Sequence, residues 1–451
     1  MNTATMPALS RAATPKVTNG PQPGWELYRG IKNILRCDEA EVVQGIAHYV
    51  ISQHRILRWF SIFIERTRNT PVPEVLALLG WLQRFLSVKH GPPEGGVVWI
   101  ARLSNERRAI EPFLPSPQEL KGSELRFTVL PDAAGLRALT RHSEPQRIFK
   151  LVRRLKHRYE FFRILRVVEL IGYYTRYLDI FQNGRFNLAV TSNHSNPHGL
   201  AFNLAARKCG IPVVLITHGM PVRPVARLVY DLAVVHCEAA RQIYDADGCR
   251  IKRVFSHGRR QHYAPMPTEL PLPPLKVGIF LCKDVNEESL QALVAHLLSR
   301  RDTSLIQIRP HPKNLYVELN NWVAAQNNPS VCLSSGGSVF DDIRSVDLVL
   351  AGNSSVLIDA VTAGRPAGYI AELDHGPHDL HQFVQHGLIY PIRDSNWNPD
   401  SMLRFYNAPG WPNILRHFAN IDDDEVTIAM QMAGAIRDLL TENRSTQLPK
   451  P

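Results

Sequence analysis

The chain has 451 residues, 44% of them hydrophobic and 21% charged. That balance excludes wholesale disorder and, at roughly 150 residues per domain, suits two or three domains. Lys and Arg number 52 against 41 Asp and Glu, a formal charge of +11, which favours an anionic partner: nucleic acid, membrane surface or phosphorylated substrate. None of the 6 cysteines stands in a Cys-x-x-Cys pair, so zinc ribbons and thioredoxin-type redox chemistry are not expected.

Residues 1–24 are rich in Ala, Thr, Pro and Asn and read as a disordered leader, without the apolar core of a secretory signal. Over 25–89, apolar residues at three- and four-residue spacing, such as Ile46, Val50, Ile51, Ile56, Trp59 and Ile62, predict helices. His90-Gly91-Pro92-Pro93 breaks them, and strands are predicted at 97–100 and 125–130. The stretch 145–181 reads as helix. It carries Arg147, Lys150, Arg153, Arg154, Lys156, Arg158, Arg163, Arg166 and Arg176, interleaved with aromatic residues. Such a stretch fits a helix pair with a solvated basic face, and equally a surface for anionic lipid or an anionic polymer. No apolar stretch reaches the roughly 18 to 20 residues that cross a bilayer. The expectation is a cytoplasmic protein, at most peripheral at the inner face of the cell membrane.

Short apolar runs then alternate with helical patterns. Strands are predicted at 188–190, 213–216 and 232–235, with helices at 199–208 and 238–244. The proline-dense stretch 264–275 reads as a domain linker. Beyond it come strands at 277–281, 305–308, 347–350 and 368–370, helices at 287–300 and 354–363, and a last helix at 423–441. This alternation predicts two α/β halves with parallel sheets that enclose a cleft, where ligands sit beyond the carboxyl ends of the strands.

Three strand-end segments carry the chemistry. Arg309-Pro310-His311-Pro312-Lys313 sets a guanidinium, an imidazole and an ammonium in one stiff turn, a set suited to a phosphate but also to a charged surface turn. In Gly352-Asn353-Ser354-Ser355, Gly352 permits a tight turn and the hydroxyls open a helix whose start attracts anions. A plain helix cap explains the same residues. In Thr217-His218-Gly219, Gly219 is expected to turn the chain and leave the imidazole of His218 uncovered. That imidazole suits proton abstraction from a hydroxyl, or is a satisfied strand-end histidine. His194 lies in a further strand-end loop that lines the acceptor side of the cleft or merely caps the next helix. The spacing of Asp374, His375, His378, Asp379, His381 and His386 matches no standard zinc pattern, and no metal site is predicted.

Taken together, Arg309-Pro310-His311-Pro312, Ser354-Ser355 and His218-Gly219-Met220-Pro221, with Asp359 and Gly364-Arg365-Pro366 following the serine pair, resemble bacterial GT-B glycosyltransferases of surface polysaccharide synthesis. The resembling group includes capsule Kdo transferases, polysialyltransferases and CDP-glycerol glycerophosphotransferases. The likeness is confined to about 210–222 and 305–370; Thr217 stands where the glycerophosphotransferases carry Trp.

The resemblance implies an α/β fold of two Rossmann-like domains facing a cleft (GT-B type), with N-terminal helical additions. An acceptor-side domain would span 25–265 and a donor-binding domain 276–422, followed by the helix 423–441 and a tail 442–451. It implies that His218 acts as the base and that Arg309, His311, Lys313, Asn353, Ser354 and Ser355 hold the donor phosphate, with Gly219, Gly352, Asp359 and His194 as further cleft residues. The implied reaction moves a sugar from a nucleotide-activated donor, expected to be CMP-linked, to a hydroxyl of a capsule or other surface glycan, without metal or cofactor. The implied partners are that donor and a glycan or glycolipid acceptor, with the basic helix 145–181 set toward an anionic membrane surface. Nucleic acid is not expected, since no recognised binding module is present. The rival readings are a CDP-alditol phosphotransferase, a sugar-nucleotide epimerase of the UDP-GlcNAc 2-epimerase type, and a non-catalytic glycan- or lipid-binding assembly protein.

Overall fold

The computed structural model describes residues 63–64, 66–89, 96–114, 122–127, 144–157, 161–223, 225–312, 316, 318–376, 378–393 and 397–447. The leader 1–24 and the helical pattern predicted over 25–62 lie outside the described residues.

The first domain begins with α1 (Val72–Leu86) and the short β1 (Val88–Lys89). It continues through β2 (Gly96–Ile100), α2 (Ser104–Ile110), β3 (Gly122–Phe127), α3 (Glu144–Leu155), α4 (Phe161–Asn183), β4 (Phe186–Thr191) and α5 (Pro197–Lys208). Then follow β5 (Val213–Ile216), β6 (Val229–Val235), α6 (Glu238–Ala246) and β7 (Arg250–Ser256). The sheet order is β1-β3-β2-β4-β5-β6-β7, parallel except for β1. Val213-Val214-Leu215-Ile216 is buried throughout, as a parallel strand covered on both faces requires. β7 carries Arg250, Lys252 and Arg253 with a mostly part-exposed pattern; an edge strand has one side in solvent, and the sequence reading named no strand there.

The second domain runs β8 (Leu275–Phe280), α7 (Glu287–Ser299), β9 (Thr303–Arg309), α8 (Leu319–Ala325), β10 (Val331–Leu333), α9 (Val339–Ser345) and β11 (Leu348–Ala351). It closes with α10 (Val356–Thr362), β12 (Ala367–Ile370), β13 (Tyr390–Ile392), α11 (Pro399–Tyr406) and α12 (Trp411–Phe418). Its sheet order, β10-β9-β8-β11-β12-β13, is all parallel and doubly wound. Helix starts are capped from the sequence: Asn286 accepts from Ser289 N–H at 3.3 Å before α7, and Ser338 with Asp341 forms a capping box before α9. Two Rossmann-like domains facing a cleft were predicted, and the chain has them.

The chain passes between the domains twice. Outbound, Ala264 donates its N–H to the carbonyl of Thr362 at 2.9 Å and the proline-dense segment leads into β8. Returning, residues 420–424 run past Gly258, where an added Cβ would meet the carbonyl of Asp424 at 2.3 Å. The last helix, α13 (Glu425–Gln447), then lies on the first sheet. Its Ile428, Met432 and Ile436 join Val97, Leu188, Val190, Val214, Ile216, Leu232 and Val234 in one buried cluster. Each such side chain contributes about 1.5–3 kcal/mol by leaving water.

Of the readings of 145–181, the helix pair with an apolar core face is the one that forms: α3 and α4 are separate helices, and α4 is wedged between α1 and α5, with Ile164, Val168, Ile171 and Tyr177 fully buried. Several cations of this stretch turn inward. Lys156 pairs with Glu74 at 2.8 Å, Arg166 with Glu169 at 3.2 Å and Arg176 with Asp179 at 2.9 Å. Lys150, Arg153 and Arg154 on α3 remain exposed. Apolar burial accounts for the aromatic residues Phe161, Tyr173 and Tyr174 of α4. No helix among the described residues is long and apolar enough to cross a membrane.

Candidate active site in the interdomain cleft

A cavity of about 330 Å³ opens between the domains. From the first domain come Asn105, Arg108 and Ala109 on α2, Thr217 and His218 after β5, His236 after β6, and His257, Gly258, Arg259, Gln261 and His262 after β7. From the second come Phe340 at the start of α9 and Asp359 in α10, and Glu425 opens α13. These are the carboxyl-end loops of three neighbouring strands of the first sheet facing helix starts of the second, where an open parallel sheet builds its ligand sites.

His218 is exposed, and its Nδ1 lies 3.1 Å from Ser192 Oγ and 3.3 Å from the Ser192 carbonyl oxygen. A proton on Nδ1 would be taken by that carbonyl and would leave the lone pair on Nε2. Gly219 behaves differently from the expectation: its φ lies outside the left-handed region and an added Cβ would meet nothing within 4 Å. The imidazole is uncovered because the loop is open, not because glycine turns it.

The other lining histidines are held neutral. Burial, reinforced by the neighbouring Arg259 guanidinium, keeps His236 well below its ordinary range. Burial brings His257 down to about 4, against the hydrogen bond from its Nε2 to the Thr217 carbonyl at 2.7 Å. His262 is lowered too, by burial and by Arg344, and stacks on Phe340 with ring centroids 3.8 Å apart. Positive charge near neutral pH therefore rests on arginine. Arg259 spans the cleft, pairing through Nη1 with Asp359 and donating through Nη2 to His236 Nε2 at 2.9 Å.

Of the residues predicted for the site, His218 and Asp359 meet in this cavity. Arg309 does not line it. Its guanidinium pairs with Asp342 and donates to the carbonyls of Gly337 at 2.9 Å and Ser338 at 3.3 Å, in the corner between β9 and α9. His311 is exposed in the following turn, and Lys313 lies outside the described residues.

Asn353 is claimed by a carboxylate of the chain itself. Asp374 accepts its backbone N–H at 2.6 Å and its Nδ2 at 2.9 Å, so an internal anion sits where a phosphate was expected. Gly352 is explained by the same contact: an added Cβ would lie 2.1 Å from Asp374 Oδ2, while its φ is not left-handed. Close approach, not turn geometry, demands glycine there. Ser354 Oγ accepts the Val356 N–H at 3.3 Å, and Ser355 precedes α10, half-buried. His194 does not line this cavity; its Nδ1 meets the Tyr244 hydroxyl at 2.9 Å, and burial, with His218 near enough to add to the effect, lowers it to about 4. Among the described residues no group of three His, Cys, Asp or Glu is placed to hold a metal ion.

Sequence reasoning missed Arg108, His236, His257, Arg259, His262 and Phe340. A signal existed for two of them: His257-Gly258 repeats the His218-Gly219 pattern after an apolar-containing run, and His236 directly follows Val234-Val235.

No protein-family model matches the chain, and no curated relative does. Solved structures of similar chain path include UDP-GlcNAc 2-epimerase from Neisseria meningitidis, 10% identical, covering 76% of this chain and 99% of that one with a TM-score of 0.43. MurG from Acinetobacter baumannii is 12% identical over 77% of this chain and 100% of its own, TM-score 0.38. The glycosyltransferase of kitacinnamycin is 11% identical over 78% and 100%, TM-score 0.44. The two parallel sheets that face one cleft are those predicted for a GT-B type architecture, and they rest on this chain's own topology. Likeness at this level carries no activity across.

Proposed function

We propose that this protein is a glycosyltransferase that moves a sugar from a nucleotide-activated donor to a hydroxyl acceptor in the interdomain cleft. The observation that carries the reading is the placing of His218: exposed at the cavity wall, with Nδ1 turned to Ser192, it offers Nε2 as a proton acceptor at a wall that also carries arginine. The acceptor hydroxyl gives its proton to His218 Nε2 while its oxygen bonds to the anomeric carbon. The bond from that carbon to the phosphate oxygen breaks, and the electron pair leaves with the nucleotide. Positive groups of the cleft offset the charge that grows there, so the reaction proceeds without a metal. The motif resemblance favours a CMP-linked donor and a bacterial surface glycan as acceptor. It also keeps Arg309, His311, Lys313, Ser354 and Ser355 as contacts for the donor phosphates, with Arg309 first leaving Asp342.

The test is a thermal-shift series with CMP, CDP, UMP, UDP and GDP on the full chain. Selective stabilisation by the cytidine nucleotides is expected, because a ligand of the folded state raises its transition by mass action. No shift with any nucleotide would overturn the reading. The epimerase alternative is separated by product analysis, since an epimerase converts the donor with no acceptor present.

A further inference from the structure

The two arginines of the cleft are not equivalent. Arg108 is exposed on α2, whereas the side chain of Arg259 is 14% exposed and is shared between Asp359 and His236. Its backbone is anchored as well. Arg259 donates its N–H to the carbonyl of Asn420 at 2.8 Å, and Arg260 donates to that of Asp423 at 3.0 Å. The returning chain thus holds Arg259 at the cleft, while its partner carboxylate comes from the other domain.

A guanidinium presents a planar fork of N–H donors that fits carboxylate and phosphate oxygens alike. Asp359 now occupies one arm of that fork through Nη1, and both residues line the cavity. A tie serving stability alone gains little from this position, because the cost of taking both largely buried charges out of water offsets most of their attraction. Ser355 and Asp359 are four residues apart at the start of α10 and share one side of it. The hydroxyl pair singled out in the sequence therefore lies a helical turn from the carboxylate that holds Arg259.

Taking its ligand class from the transferase reading, we propose that Arg259 is a further phosphate contact, beside those the motif resemblance names, and that Asp359 is an internal competitor that holds the same guanidinium until the ligand arrives. Binding exchanges one anion for another on Arg259 and frees the Asp359 carboxylate. Without ligand the guanidinium of Arg259 is thus compensated by Asp359, and a ligand lacking a phosphate cannot displace that carboxylate.

Calorimetry of inorganic phosphate and pyrophosphate with the full chain tests this. Asp359→Asn removes the competitor and is expected to bind either anion about five- to tenfold tighter than the wild type. Arg259→Gln is expected to abolish binding. Equal affinity in the wild type and Asp359→Asn, or undiminished binding in Arg259→Gln, overturns the proposal. Should Asp359→Asn not fold, Arg259→Lys decides: a loss of roughly tenfold supports anion exchange on the guanidinium and unchanged affinity refutes it. Sugar transfer that persists with no exchange effect would leave the transferase reading intact and sink this proposal alone. Exchange without transfer would do the reverse.

Discussion

Nε2 of His257 donates to the carbonyl oxygen of Thr217 at 2.7 Å, so the loop after β7 braces the residue that precedes His218. This bond needs a proton on Nε2, and burial, against the pull of the bond itself, brings the group down to about 4, so the ring stays uncharged near neutral pH. The cleft is thus floored by a histidine that supports a neighbouring loop instead of titrating with the solvent.

Stability should depend on pH through such histidines. The unfolded chain takes up a proton near 6.5, whereas folded His257 and His194 resist it down to about 4. Stability is then full above about pH 7 and declines as pH falls from about 6.5 toward 4, by up to about 1.4 kcal/mol per unit for each histidine. Urea midpoints between pH 7.5 and pH 5 measure it. His257→Asn, which can still donate to Thr217, should flatten the slope by roughly one proton. A midpoint constant over this range would contradict the assignment.

Two glycines predicted for the same role should behave oppositely. Gly352→Ala puts a Cβ 2.1 Å from the Asp374 carboxylate and forces the turn apart, at a cost of about 1–3 kcal/mol. Gly219→Ala meets nothing within 4 Å and should change stability by no more than about 0.5 kcal/mol. Equal effects in denaturant titrations would show that the turn before α10 is not held by Asp374.

These glycines also show how far the sequence could be read. Runs such as Val213-Val214-Leu215-Ile216 disclose a strand because a parallel sheet buried on both faces needs unbroken apolar residues. β7 escaped notice because its edge position admits Arg250, Lys252 and Arg253. His218 was legible from the strand before it. The Arg259–Asp359 pair was not, since its partners are 100 residues apart and on different domains. The engagement of Asn353 by Asp374 was likewise hidden, because only the packed loops show that an internal carboxylate already takes the N–H expected for a phosphate.

The return helix should be integral to the first domain. Met432 is fully buried against Leu188, Val214 and Val234, and Met432→Ala should cost about 2–5 kcal/mol. The readout is the urea midpoint. A change under about 0.5 kcal/mol would mean that α13 contributes only a loose cover.

Arginine charge in the cleft leads to a further expectation, that turnover survives chelation. Guanidinium groups can meet the charge on a departing phosphate as a divalent ion does elsewhere. Activity before and after exhaustive treatment with EDTA checks this, and a strict requirement for added Mg²⁺ or Mn²⁺ would contradict it.

The most direct measurement follows product formation from a nucleotide-sugar donor with and without a hydroxyl acceptor, in the wild type and in His218→Ala. The account predicts a glycoside that forms only when acceptor is present. In the variant, kcat should fall by about 10²–10⁴-fold while nucleotide binding and the thermal transition stay as they were. Conversion of the donor alone, or an undiminished rate in His218→Ala, would contradict it.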